Sequence, residues 1–189
     1  MTPDVFSGLW RRRSVAIGDG EPHEPASVHW IQWGDRFLDV RQPVDDGAPL
    51  LSGPGVFGGT TTWREPALTW RHELDSQPGA AADEGVVSWD RELLVERGSA
   101  DIDGEAVPYE EVWERVTVPM PAAGRAWSPW RGALAVEVDG HRMAAVVDPD
   151  GSWFGALSRR EPDGRWDLGP CVGERALLRV LHDVLLGAG

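Results

Sequence analysis

The 189-residue sequence predicts an all-β protein, a meander of antiparallel strands followed by one C-terminal helix. Three observations lead there. From residue 8 to about 160, short segments rich in Trp, Val, Leu and Thr are separated by clusters of Gly, Pro and Asp, which is how strands and turns alternate. Several of the separators are dipeptides that accept the positive φ of tight hairpins: Gly34-Asp35, Asp139-Gly140, and Gly151 within Asp148-Pro149-Asp150-Gly151. Only after residue 173 does the apolar period change from strand-like to helical.

The predicted strands run from Leu9 to Ile17, Val28 to Trp33, Arg36 to Arg41, Gly55 to Trp63 and Ala67 to Asp75. They continue from Val86 to Arg97, Tyr109 to Val118, Gly132 to Val138, Arg142 to Val147 and Trp153 to Arg160. Ten segments at this spacing suit either a barrel or a sandwich, and short turns favour sequential, up-and-down pairing. Residues 19–26 and 77–84 read as long polar loops and 119–129 as an irregular crossover. The tail ERALLRVLHDVLLG spaces Leu177, Leu181, Val184 and Leu185 along one face, predicting a helix over about 174–186 that packs on the sheet or on a second copy in a homodimer. The length suits one domain, 1–189.

Composition narrows the partners. The net charge is −13 and all 18 basic residues are arginine. So negative a surface repels a phosphate backbone, which argues against a nucleic-acid partner. The lone Cys171 rules out an internal disulfide and fits a reducing, cytoplasmic compartment. No apolar run is long enough to span a membrane as a helix, and the basic-then-apolar order of a signal peptide is missing. The five histidines form no H-x-H or H-E-x-x-H pattern, and no nucleotide-binding glycine fingerprint or serine nucleophile elbow is present. Hence no metal and no cofactor is expected.

Candidate site residues come from strand parity. In VHWIQWGDRFLDVRQP, Trp30 and Gln32 share one face and Phe37, Asp39 and Arg41 another. Inward, Asp39 and Arg41 would need each other or a ligand, since unpaired charge is costly in an apolar interior; outward, they form a surface ion pair. In TWRHELDS, residues 69–76, His72 lies between Trp70 and Leu74 on one face. Desolvation there would lower its pKa, making it either a tuned acid–base group or a satisfied core histidine. In YEEVWERV, residues 109–116, Tyr109, Glu111, Trp113 and Arg115 share a face and the valines the other. With Trp113 inward, a phenol, a carboxylate and a guanidinium line one cavity; otherwise Glu111 and Arg115 pair with each other.

Gly8-Leu9-Trp10 opens the first strand, a meander follows and a helix ends the chain. This arrangement resembles the G-x-W opening of lipocalin-like (calycin) barrels, of the intracellular type since the paired cysteines and the Thr-Asp-x-Tyr signature are missing. The resemblance implies an up-and-down barrel of about eight to ten strands, Trp10 plugging its closed end, and Arg159 or Arg160 of the last strand against the indole. With eleven tryptophans in the chain, such a barrel either holds a small apolar or aromatic ligand between Trp30, Trp70 and Trp113, with Gln32, Asp39, Arg41 and Arg115 as polar contacts, or is filled solid by these rings as ordinary core. In the alternative, a cofactor-free enzyme of the same shape, His72, Tyr109 and Glu111 would move protons. A haem with one histidine ligand also suits such barrels, but nothing in the sequence selects it. The triple arginine 11–13 is split by the pleat, so that Arg12 alone shares the face of Trp10.

Overall fold

The computed structural model describes residues 4–44, 53–77, 82–119, 121, 123–128, 130, 132–174 and 177. Eight strands form a closed antiparallel barrel. They are β1 (Gly8–Ile17), β2 (Ala26–Trp33), β3 (Arg36–Pro43), β4 (Gly55–Arg64), β5 (Ala67–Asp75), β6 (Ala82–Asp90), β7 (Leu93–Ile102) and β8 (Glu105–Arg115). Each pairs with the next, and β8 returns to β1 with Trp10 opposite Arg115. Closure leaves no free edge for further strands. Among the described residues beyond the barrel, a separate five-stranded meander forms: β9 (Gly124–Trp127), β10 (Ala133–Val138), β11 (His141–Val147), β12 (Trp153–Arg160) and β13 (Trp166–Gly173).

Three differences from the sequence reading follow. The barrel ends at residue 115, not 160, because eight strands already close it. The expected strand 86–97 is a hairpin, turning at Arg91 with φ 58°, a conformation no Gly or Asn announces there. β9 and β13 were not expected; β9 has only four residues, and Gly169-Pro170 interrupts β13. The predicted helix 174–186 lies outside the described residues except for Glu174 and Leu177, and Leu177 is buried among Ala133, Ala135, Phe154 and Ala156 on the second sheet.

Two apolar layers organise the molecule. Inside the barrel, Trp10, Trp30, Phe37, Leu68, Trp70, Leu94 and Trp113 pack together. Outside it, Ile31, Leu38, Val40 and Val56 meet Leu134, Val136, Val138 and Met143 of the second sheet. Gly155 permits that approach, since a Cβ there would stand 2.2 Å from Val56 Cγ1. At the far end of β10 the turn Asp139-Gly140 takes positive φ at both residues, 45° and 74°, the type I′ geometry that matches the strand twist.

One end of the barrel is plugged. A short 3-10 turn, Asp4–Phe6, folds across it and its Phe6 carbonyl accepts a hydrogen bond from Trp10 Nε1 at 2.9 Å. The guanidinium of Arg115 lies 4.0 Å from the Trp10 ring centroid and donates to the carbonyls of Ser7 and Val5. The arginine against Trp10 is thus Arg115, from the last strand of the barrel, whereas Arg159 and Arg160 end β12 in the second sheet.

Candidate functional site in the barrel cavity

Above the plug, Trp30 stacks on Trp10 with ring centroids 5.5 Å apart. Trp70 and Trp113 then stand edge-on to Trp30, at 5.8 and 5.9 Å and interplanar angles of 79° and 77°. These three indoles wall a cavity of about 180 Å³, which Phe37 and Phe57 also line. Trp30 is 2% exposed, and its Nε1–H has no partner among the described residues. A buried donor left without an acceptor costs on the order of 1–3 kcal/mol, so a ligand acceptor or a water would be stabilised there.

The rest of the lining is charged. Asp39 and Arg41, two residues apart on β3, both point inward and pair at 3.0 Å. Burial outweighs the guanidinium and raises the Asp39 carboxyl to about 6, while burial and Asp39 act in opposite senses on Arg41 and leave its pKa raised. On β8, Glu111 accepts from Arg12 Nη1 at 2.5 Å, and Arg12 in turn grips Glu24 through Nε and Nη2 at 2.8 and 3.1 Å. Glu96 of β7 accepts from the Tyr109 hydroxyl at 2.9 Å and from Trp113 Nε1 at 3.2 Å. Burial and the nearby Glu111 carboxylate push Glu96 up to about 8, against the opposing hydrogen bond of Tyr109. The Tyr109 phenol is raised as well, by burial and by Glu96. Glycines make room for both groups: a Cβ at Gly85 would lie 2.6 Å from Glu96 Cγ, and one at Gly98 2.5 Å from the Tyr109 hydroxyl.

Of the residues singled out from the sequence, Trp30, Asp39, Arg41, Trp70, Tyr109, Glu111 and Trp113 all line this one cavity. Glu111 pairs with Arg12 across the β1–β8 register and not with Arg115. Three others lie elsewhere. Gln32 is buried toward the plugged end, donating to Thr61 Oγ1 and the Gly34 carbonyl. Arg115 is the plug's clamp. His72 points into the barrel but stacks behind Phe57, centroids 4.8 Å apart. Its Nδ1 is 2.7 Å from Asp75 Oδ2, and its Nε2 is 3.3 Å from Asp83 Oδ2, close enough for an ion pair but not aligned as a hydrogen bond. Burial lowers its pKa, as expected, but the Asp75 and Asp83 carboxylates more than compensate and raise it to about 9. A bulge opposite Gly58-Gly59 also turns Leu74 to the outer face, breaking its alternation with His72.

Sequence reasoning missed Glu96, Phe57 and Asp83. Glu96 alternates with Leu94 and Gly98 on β7, a pattern hidden when 86–97 is read as one strand. A hairpin break at Arg91 would have put Glu96 on the inward face.

The comparisons with known proteins bear on this frame. The family model described as Protein HRI1 matches residues 8–166, the whole barrel and most of the second sheet. The chain belongs to the HRI1 family. Among solved structures, this HRI1-family chain is similar to the uncharacterized protein YLR301w from Saccharomyces cerevisiae, with 15% identity and a TM-score of 0.68 over 89% of this chain and 86% of that one. At that identity the likeness establishes a shared fold. No curated protein matches the sequence. No helix among the described residues is long and apolar enough to cross a membrane.

Proposed function

We propose that this HRI1-family barrel binds a small aromatic molecule carrying a polar group. The observation that carries the reading is the cavity of about 180 Å³ walled by Trp30 and by Trp70 and Trp113, each edge-on to it. Engineered apolar cavities of roughly 150 Å³ admit benzene, so a single ring with a short substituent matches this space. The orphan Trp30 N–H, the Asp39–Arg41 pair and the Glu96–Tyr109 pair supply polar contacts that an all-apolar ligand would leave unanswered. The Trp10–Arg115 contact at the plugged end supports the lipocalin-like reading of the barrel.

Titrating single-ring aromatics against intrinsic tryptophan emission tests the proposal: saturable quenching that Trp113→Leu weakens is expected, and a flat response across such a library would refute it. A second reading, proton transfer within the same cavity, is favoured by Glu96, a buried acid held near neutrality beside a phenol. It requires turnover of a bound aromatic that Glu96→Gln abolishes while binding persists.

A further inference from the structure

The binding reading leaves the chemical class of the ligand open, and the cavity's charge arrangement narrows it. Asp39, Asp83, Glu84, Glu96 and Glu111 line the cavity, against one arginine, Arg41, among the described residues. Most of these acids already have a cation: Arg41 pairs with Asp39, Arg12 with Glu111, and His72 with Asp83. Glu84, at the cavity's edge, accepts from Thr69 Oγ1. Glu96 is different. It is 6% exposed, it lines the cavity, and no arginine, histidine or lysine lies within ion-pair distance of it among the described residues.

Its two hydrogen bonds sharpen the point. The Tyr109 hydroxyl meets Oε1 and the Trp113 indole N–H meets Oε2, so both oxygens are arranged as acceptors, the arrangement a carboxylate requires. Both donors are neutral, and the site lacks only a counter-charge. The surrounding faces of Trp30, Trp70 and Trp113 are the surfaces on which an organic cation is stabilised, the ring quadrupole attracting the charge.

We propose that the cavity's ligand is a small organic cation, an aromatic or benzylic ammonium whose charge sits against Glu96 between the tryptophan rings. This rests on the barrel being a ligand-binding site. Binding then couples to a proton: the Glu96 carboxyl gives its proton to solvent, and the ammonium keeps its own three as donors to the new carboxylate. The groups facing Glu96 bear on this step in stated ways. Glu111 of β8 and Asp83 of β6 oppose ionisation, while the Tyr109 hydroxyl and Arg41 of β3 favour it.

The test uses the full chain and three isosteric probes, benzylamine, benzyl alcohol and benzoate, followed by tryptophan emission and by calorimetry in two buffers of different ionisation enthalpy. Benzylamine is expected to bind roughly tenfold or more tighter than benzyl alcohol, with benzoate weakest. With Glu96 near 8 in the free protein, benzylamine binding should release about 0.9 proton at pH 7 and tighten more than about tenfold from pH 6 to pH 8, where a primary amine stays protonated. Glu96→Gln should bring benzylamine down to the affinity of benzyl alcohol. If that variant does not fold, the preference of the unaltered protein for benzylamine over benzyl alcohol and benzoate decides. Benzyl alcohol or benzoate binding as tightly as benzylamine overturns the cation assignment and leaves the binding site standing. No response to any of the three overturns both.

Discussion

Removing the guanidinium of Arg12 gives the sharpest test of the barrel's interior electrostatics. Its side chain is 0% exposed, and it faces Glu111, 4% exposed, and Glu24, 19% exposed. Arg12→Met keeps the length of the side chain and deletes the charge. Glu24 can turn to water, so its loss contributes on the order of 0–1 kcal/mol. Glu111 cannot: it is left without its cation in a cavity that already holds Asp39 and Glu96, and breaking a buried pair on one side costs about 3–5 kcal/mol. Against a total stability of roughly 5–15 kcal/mol this is a large fraction. Urea denaturation followed by tryptophan emission should show the midpoint falling by about 1–2.5 M, for an m-value of about 2–3 kcal/mol/M. Because most of the penalty is the orphaned Glu111 charge, adding Glu111→Gln should recover at least half of it. A midpoint shift below about 0.5 M, or a double variant as unstable as the sum of its parts, would show that Glu111 finds solvent or another cation and would refute the reasoning.

Three further outcomes are expected. Arg115→Met removes the cation over Trp10 and two charge-assisted bonds to the Val5 and Ser7 carbonyls, lowering stability by about 2–4 kcal/mol and red-shifting emission as Trp10 meets water. Raising the pH from 6.5 to 9 should lower Tm. His72 is raised from 6.5 to about 9, so its pairing is fully present below pH 6.5 and lost as pH rises through 9. Glu96, raised from 4.5 to about 8, also makes the folded state hold a proton the unfolded chain has released, so the slope has the same sign; a Tm that rises over this range contradicts both assignments. Gly155→Ala would push a methyl into Val56 and cost about 1–3 kcal/mol, with Val56→Ala restoring part of it; a neutral effect would mean the second sheet does not press on the barrel as described.

Much of the cavity was legible because parity is a local property. Trp30 with Asp39 and Arg41, and Tyr109 with Glu111 and Trp113, each sit on uninterrupted strands where period two holds, so shared faces could be read directly. Where a bulge intervenes the reading fails: Leu74 leaves the face of His72, and in β1 the shift between Arg12 and Ser14 makes Val15 the next buried residue. Glu96 was hidden by a turn without turn residues, and the raised pKa of His72 draws, besides Asp75, on Asp83, a residue eleven positions away on the neighbouring strand.

Two features were fixed by local pattern alone: the chain is built of antiparallel strands joined in order, and Trp10 and Arg12 share a face while Arg11 and Arg13 do not. These follow from composition and from periods of two, which need no knowledge of distant partners. Tertiary structure alone decided that the barrel closes after eight strands, that the remaining five form a second layer, that Arg115 guards the plug and that Glu96 stands in the cavity without a cation among the described residues. Closure, register and ion pairing all join residues far apart in the chain, Arg12 with Glu111 above all, and such pairings are set by which strands meet, not by any one strand's pattern.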